Sequence, residues 1–266
     1  MKGYFTYFKK QIISGLQYRG AALSGLTTQY FWGIITAIVY TALYKVTSVK
    51  EINLQELMSY LWLNQSFFAL IYLDDRDTDI FNMIKNGEIA YELMRPYNLY
   101  KWWFIKIIAK RYSSVALRCL PIIIVASLLP KPYNLSMPNS LLSLLLFFVS
   151  ILLGSFVLVE INLIIITIGF YTNEDKGISS IIYRIGELFS GIDIPLPLLP
   201  HIIIAVGNFI PFRYIGDLAF RIYSGNVGID LAIKSIFIQI IWIILLYIIG
   251  NLLMNNVLKK ATVQGG

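Results

Sequence analysis

Residues 141–170 read LLSLLLFFVSILLGSFVLVEINLIIITIGF, an apolar run in which Glu160 is the only charged residue. As an α-helix at roughly 1.5 Å per residue it would extend about 45 Å, whereas the hydrocarbon of a bilayer is about 30 Å thick. A helix that is apolar on every face has no soluble side to present to water. The run is therefore a membrane span, longer than one crossing needs unless it tilts or breaks near Glu160. Runs of the same kind lie on either side of it. Residues 21–44 are bounded by Arg19 and Lys45 and carry Tyr30, Phe31, Trp32, Tyr40 and Tyr44. Residues 57–73 stop at Asp74-Asp75-Arg76-Asp77, and residues 113–129 stop at Pro130 and Pro132, where a helix should end. A short run at 178–191 and a long one at 229–257, closed by Lys259-Lys260, complete the set. The hydrophobic fraction of 57% and mean hydropathy of +0.68 agree. The expected fold is an all-α integral membrane protein with six transmembrane helices, forming a single transmembrane domain over residues 1–266.

Three segments outside the spans have recognisable physical character. Residues 1–19 mix Lys2, Lys9, Lys10 and Arg19 with Tyr4, Phe5, Tyr7, Phe8, Ile12, Ile13 and Leu16, and end in no small-residue cleavage site. That pattern predicts an amphipathic interfacial helix, with a frayed basic tail as the plainer alternative. Residues 74–111 form a polar stretch between the second and third runs. Residues 192–222 contain Pro195, Pro197 and Pro200 and then the apolar run 201–212 with Pro211 and Phe212, too many prolines for a continuous helix. A re-entrant hairpin between spans five and six fits, because irregular backbone at membrane depth survives where protein shields it. Placing both termini in the cytoplasm leaves only Lys45, Lys50, Lys131, Arg213, Arg221 and Lys234 outside, with Arg118 within a span, as the positive-inside rule requires.

The same residues exclude several chemistries. The net charge of +7 is spread among the spans and gathered into no soluble module, so nucleic acid is not an expected partner. With Cys119 as the only cysteine and His201 as the only histidine, no intrachain disulfide and no Cys- or His-based metal centre is expected. No stretch matches a P-loop or a G-x-S-x-G nucleophile elbow, so ATP hydrolysis and hydrolase chemistry have no support on this chain. Arg118, Glu160 and Glu187 fall within spans, where ionisable groups are costly and face a partner, water or a substrate. Arg118 could pair with Glu160, or either could touch substrate.

Within residues 74–111, Asp74-Asp75-Arg76-Asp77-Thr78-Asp79 is a helix start, followed by Ile80, Phe81, Met83 and Ile84 at helical spacing. A second short helix should follow in Gly87-Glu88-Ile89-Ala90-Tyr91-Glu92-Leu93-Met94-Arg95-Pro96, ended by its proline. By composition alone this stretch is either a solvated connector or a docking surface for a partner.

The stretch from Gly87 to Pro96 resembles the glycine, Ile, Leu, Arg-Pro signature between spans two and three of type-2 ABC-transporter permeases, in their six-span branch long described only as of unknown function. Further resemblance lies in Tyr18-Arg19, in Gly169-Phe170-Tyr171-Thr172-Asn173-Glu174, in Ser190-Gly191, Ile194-Pro195 and Ile210-Pro211-Phe212, in that order. Tyr171 departs from the pattern, which has tryptophan there more often. The resemblance implies an exporter permease without its own nucleotide-binding domain, carrying no cofactor. ATP and Mg would be bound by a separate ABC ATPase, two copies per complex, beside a second permease subunit, identical or homologous. It further implies that Ile80, Phe81, Ile84, Glu88, Tyr91, Glu92, Arg95 and Pro96 couple to the ATPase. Pro195, Pro197, Pro200, Pro211 and Phe212 would form an outer gate, in a bacterial cytoplasmic membrane.

Two rival functions remain open on sequence. The carboxylates of Asp74, Asp75, Asp77 and Asp79 could bind a divalent cation in a membrane-embedded lipid-modifying enzyme. An ion-coupled secondary carrier would show broken helices in both halves, and here only the second half is broken. Eighteen Tyr, sixteen Phe and five Trp suit a hydrophobic or amphipathic cargo such as a peptide antibiotic, drug or lipid, although interfacial aromatic belts account for many of them.

Overall fold

The structure, a computed structural model, describes residues 2–17, 19–46, 51–74, 77–172 and 177–260. Tyr18, Asp75, Arg76, Asn173 and Glu174, all used in the sequence reading, lie outside the described residues. Among those described, every regular element is helical. In chain order they are α1 Lys2–Gln17, α2 Arg19–Val46, α3 Leu54–Ile71, α4 Thr78–Lys85, α5 Ile89–Leu93 and α6 Leu99–Leu128, followed by α7 Leu141–Thr172, α8 Gly177–Ser190, α9 His201–Gly207, α10 Asp217–Ser224 and α11 Ile229–Lys260. Short 3₁₀ turns at Leu196–Leu198 and Pro211–Tyr214 flank α9.

Four of these helices, α2, α6, α7 and α11, are long and apolar enough to cross a bilayer. The other two expected spans are shorter. Helix α3 has 18 residues and α8 has 14, so that α3 reaches about 27 Å and α8 about 21 Å at ~1.5 Å per residue. Helix α3 is nonetheless among the most enclosed elements, with Leu57, Met58, Tyr60, Trp62, Leu63 and Ile71 all buried. A helix shielded by its neighbours needs less hydropathy of its own than one bathed in lipid.

Of the two alternatives left for the long run, tilt or a break near Glu160, the break does not occur: helix α7 runs unbroken to Thr172. One sequence expectation is corrected. Helix α6 begins at Leu99 instead of residue 113, so the last part of the polar stretch 74–111 is its first turns. Lys101, Lys106 and Lys110 lowered the hydropathy there without disturbing the helix, because Leu99, Tyr100, Trp103, Ile107 and Ile108 recur on one buried face. Asn98 caps it by accepting the Lys101 N–H at 3.0 Å.

The bundle has two distinct ends. At one, α4 and α5 pack with the start of α6 and the last turns of α7 and α11, burying Ile80, Ile84, Ile89, Leu163, Ile166 and Met254 together. Helix α1 lies along the start of α6 there, with Tyr7 and Trp102 ring centroids 4.1 Å apart and Tyr4 accepting the Asn98 N–H at 3.2 Å. At the other end, Tyr40 of α2 donates to the Asp193 carbonyl and the Asn226 amide donates to the Glu51 carbonyl. Between residues 207 and 217 the chain descends from this second end to the middle of the bundle. A Cβ at Gly154, near the middle of α7, would strike the carbonyls of Tyr214 and Ile215.

Lipid is as apolar as a leucine side chain, so helices in a membrane are held by close packing and buried hydrogen bonds more than by expulsion of water. The chain shows both devices. Gly154 admits backbone and Gly33 admits the Trp62 ring. Gln239 of α11 donates to the Ser150 carbonyl of α7 at 3.0 Å and the Tyr214 carbonyl at 2.8 Å, tying three segments with one side chain.

Candidate functional site

The segment between α3 and α6 is held from beneath and open above. Asp77 accepts the Ile80 N–H at 3.1 Å and starts α4, and its Oδ1 also lies 3.3 Å from the Lys106 ammonium of α6. Asp79 reaches the same ammonium at 3.9 Å. Asp77 thus serves as helix cap and ion-pair partner, and Asp79 lies beside the same lysine. Ile80 and Ile84 project from α4 into the core, and Phe81 and Met83 pack partly against it. Gly87 turns the chain at φ 73°, the left-handed region where a side chain is strained. Helix α5 follows and is anchored by Ile89.

The opposite face of α5 and its exit carry exposed side chains. Tyr91 is 67% exposed and Met94 is 74% exposed, with Leu93, Glu88, Arg95 and Pro96 also at the surface. Glu92 and Arg95 form an ion pair at 3.2 Å, and Arg95 donates to the Tyr97 hydroxyl at 2.8 Å. That hydroxyl, followed by the Glu92 carboxylate, raises the pKa of the Arg95 guanidinium above its ordinary value. Tyr97 stacks on Trp102 with centroids 4.4 Å apart, so the turn after α5 is clamped to α6 and, through Tyr4, to α1. The result is a rigid surface with apolar and charged groups side by side.

The proline-rich segment at the other end is built differently. Pro195 and Pro197 are buried and Pro200 caps α9 at the surface, while Pro211 opens the second 3₁₀ turn and Phe212 packs against Gly186 of α8. Gly191 has φ 75°, and its carbonyl takes hydrogen bonds from the Tyr60 hydroxyl at 3.1 Å and Asn64 at 3.3 Å. The same Tyr60 hydroxyl lies 3.1 Å from Asp217 Oδ1, and Arg221 Nη1 lies 3.6 Å from Asp217 Oδ2. His201 pairs with Glu51 at 3.1 Å on the surface. Sequence reasoning passed over Asp217, which is fully enclosed, and Arg111, which donates to the Tyr72 carbonyl at 2.8 Å beyond the end of α3. Asp217 lies among the apolar residues Ile215, Leu218 and Ala219, which was the available signal for it, whereas Arg111 follows Lys110 in a polar stretch and gave none.

The three ionisable residues read as intramembrane are not brought together. Glu160 accepts a hydrogen bond from the Tyr100 hydroxyl in the first turn of α6. Arg118 lies about two-thirds of the way along α6, packed where a Cβ on Gly25 of α2 would stand. The two positions on α6 are on the order of 25 Å apart at roughly 1.5 Å per residue, so the expected Arg118–Glu160 pair does not exist. Glu187 pairs within its own helix, accepting from Arg184 at 2.7 Å.

A family model described as ABC-2 family transporter protein matches residues 25–265. No curated protein matches the chain significantly.

Proposed function

Because the chain belongs to the ABC-2 transporter family, and is therefore a multi-pass membrane permease component and not a catalytic enzyme, we propose that it is half of an exporter driven by a separate ABC ATPase. Two ATPase copies and a second permease subunit, identical or homologous, complete the assembly, and ATP and Mg are bound by the ATPase. The observation that carries the reading is the α4–α5 surface. Ile80, Ile84 and Ile89 root it in the same core as α6, α7 and α11, while Tyr91, Leu93, Met94 and Arg95 are exposed and Glu92 is partly covered beside Arg95. Force applied to that surface is delivered to the long helices, since a packed core does not deform continuously.

On this reading α3 and α8 complete six spans, α1 and the α4–α5 surface lie in the cytoplasm of a bacterial cell, and residues 192–222 form a re-entrant outer gate. Each nucleotide state must meet the α4–α5 surface with different contacts, because a ligand shifts a two-state bundle only through differential binding. The cargo is hydrophobic or amphipathic, released outward past Pro195, Pro197, Pro200, Pro211 and Phe212.

The test is purification of the tagged chain in mild detergent, followed by identification of associated subunits and measurement of ATPase activity. A P-loop ATPase should accompany it. Glu92→Arg and Arg95→Glu, each alone, should lower the substrate-stimulated ATPase rate several-fold in a complex that still elutes as a folded species. Wild-type rates in both variants would remove α5 from the coupling role.

A further inference from the structure

Where α1 crosses the start of α6, the packing leaves a cavity of about 620 Å³. Phe5 and Phe8 of α1, Phe104 and Ile105 of α6 and Tyr247 of α11 form apolar and aromatic walls, and Glu160 of α7 reaches its lining. Glu160 is 3% exposed. Its Oε2 is engaged by Tyr100, whereas its Oε1 takes no hydrogen bond and no cation from the described residues. This is a carboxylate rooted in a membrane helix, engaged on one oxygen by its tyrosine and lining an open, mostly apolar cavity.

We infer that this cavity is a binding site for a lipophilic cation, an organic ammonium or phosphonium with apolar substituents, which supplies the positive partner that Glu160 lacks. An ionised carboxylate buried without a cation is costly, and a cation seated beside it relieves that cost in a low-dielectric site. Aromatic faces around the charge favour a cation over an anion of the same shape. Ionisable residues at membrane depth characteristically face such a path. Lys101 also lines the cavity and is exposed. Its long stem lets the ammonium reach the polar region, whereas Glu160 is buried, so the carboxylate is the charge rooted in the cavity wall. The cavity lies at the end of the bundle occupied by α1, the amphipathic element, where a lipophilic cation already partitions at the membrane interface.

The inference rests on the transporter reading only in naming this ligand as cargo; the binding itself needs neither ATP nor a partner. Tetraphenylphosphonium and tetraphenylborate share one shape and carry opposite charge, and so separate charge recognition from greasiness. Equilibrium binding of each ion is measured on the full chain, with any subunits that accompany it, in phosphatidylcholine nanodiscs, with empty nanodiscs subtracted. Saturable binding of tetraphenylphosphonium is expected, with affinity falling about tenfold or more in Glu160→Gln. Tetraphenylborate should show no saturable component in either protein. The glutamine can still accept from Tyr100, so its fold should hold; should it not, Phe104→Ala, which removes an aromatic wall and leaves Glu160 in place, should weaken phosphonium binding several-fold. Absence of saturable phosphonium binding, an affinity unchanged by the substitution tested, or a preference for the borate would overturn the assignment. If the phosphonium fails to bind while an ATPase still copurifies and responds to Glu92 and Arg95 substitution, the cation site alone is lost.

Discussion

Helices α4 and α10 are each 8 residues long and each amphipathic, yet the protein treats them in opposite ways. Helix α4 buries Ile80 and Ile84 and leaves the rest toward the surface. Helix α10 buries Asp217, Leu218, Ala219, Phe220, Ile222, Tyr223 and Ser224, so that even its polar face is inside. The difference lies in what meets the polar face. In α10, Asp217 pairs with Arg221 of the same helix and meets the Tyr60 hydroxyl of α3, whereas Asp77 and Asp79 at the head of α4 meet a lysine at the edge of the bundle. An amphipathic pattern therefore announces that two faces differ; it does not say that one of them is wet.

This contrast can be broken by substitutions, beginning with the largest expected effect. Phe220→Ala removes a ring that packs edge-on to Tyr60 at 5.4 Å in the enclosed interior, and should cost about 3 kcal/mol of stability, seen as a lowered thermal midpoint in detergent. Gly154→Ala places a methyl against the carbonyls of Tyr214 and Ile215, and should cost about 2 kcal/mol, because backbone must shift to admit it. At the opposite end, Asp77→Ala removes the cap of α4 and one partner of Lys106, with an expected loss of about 1 kcal/mol. Tyr91→Ala should leave the midpoint within about 0.5 kcal/mol of wild type, since its ring touches little, while reducing recovery of the ATPase. Should Tyr91→Ala destabilise as much as Phe220→Ala, the α5 surface is structural and its availability to a partner is refuted.

The long helices were legible because a bilayer imposes a single requirement, sustained apolarity, that one sequence displays in full. Helix α7 was placed to within a few residues on that ground alone. The start of α6 was missed for the same reason in reverse. Lys101, Lys106 and Lys110 interrupt the hydropathy, but an interrupted hydropathy is not an interrupted helix, and the buried face from Leu99 to Ile108 continued beneath the charges. The Arg118–Glu160 pairing failed because composition counts charges within spans without measuring depth. Tyr100, near the start of the same helix, was the partner within reach, and a tyrosine gives no sign in sequence that its hydroxyl is buried against a carboxylate.

By itself the sequence determined that this protein is helical, lives in a membrane and carries short helices and a proline-rich segment outside its longest runs. Those features follow from local constraints: apolar length against bilayer thickness, caps, and the missing N–H of proline. Only the tertiary structure decided which of the short helices remains at the surface and which is enclosed. It alone shows that the chain after α9 descends to Gly154, and that Glu160 lines a mostly apolar cavity beside Tyr100 instead of pairing with Arg118. Those outcomes depend on which helices are neighbours and at what depth their residues meet. Such contacts join positions far apart along the chain, and the side chains involved look the same in sequence whether they meet or not.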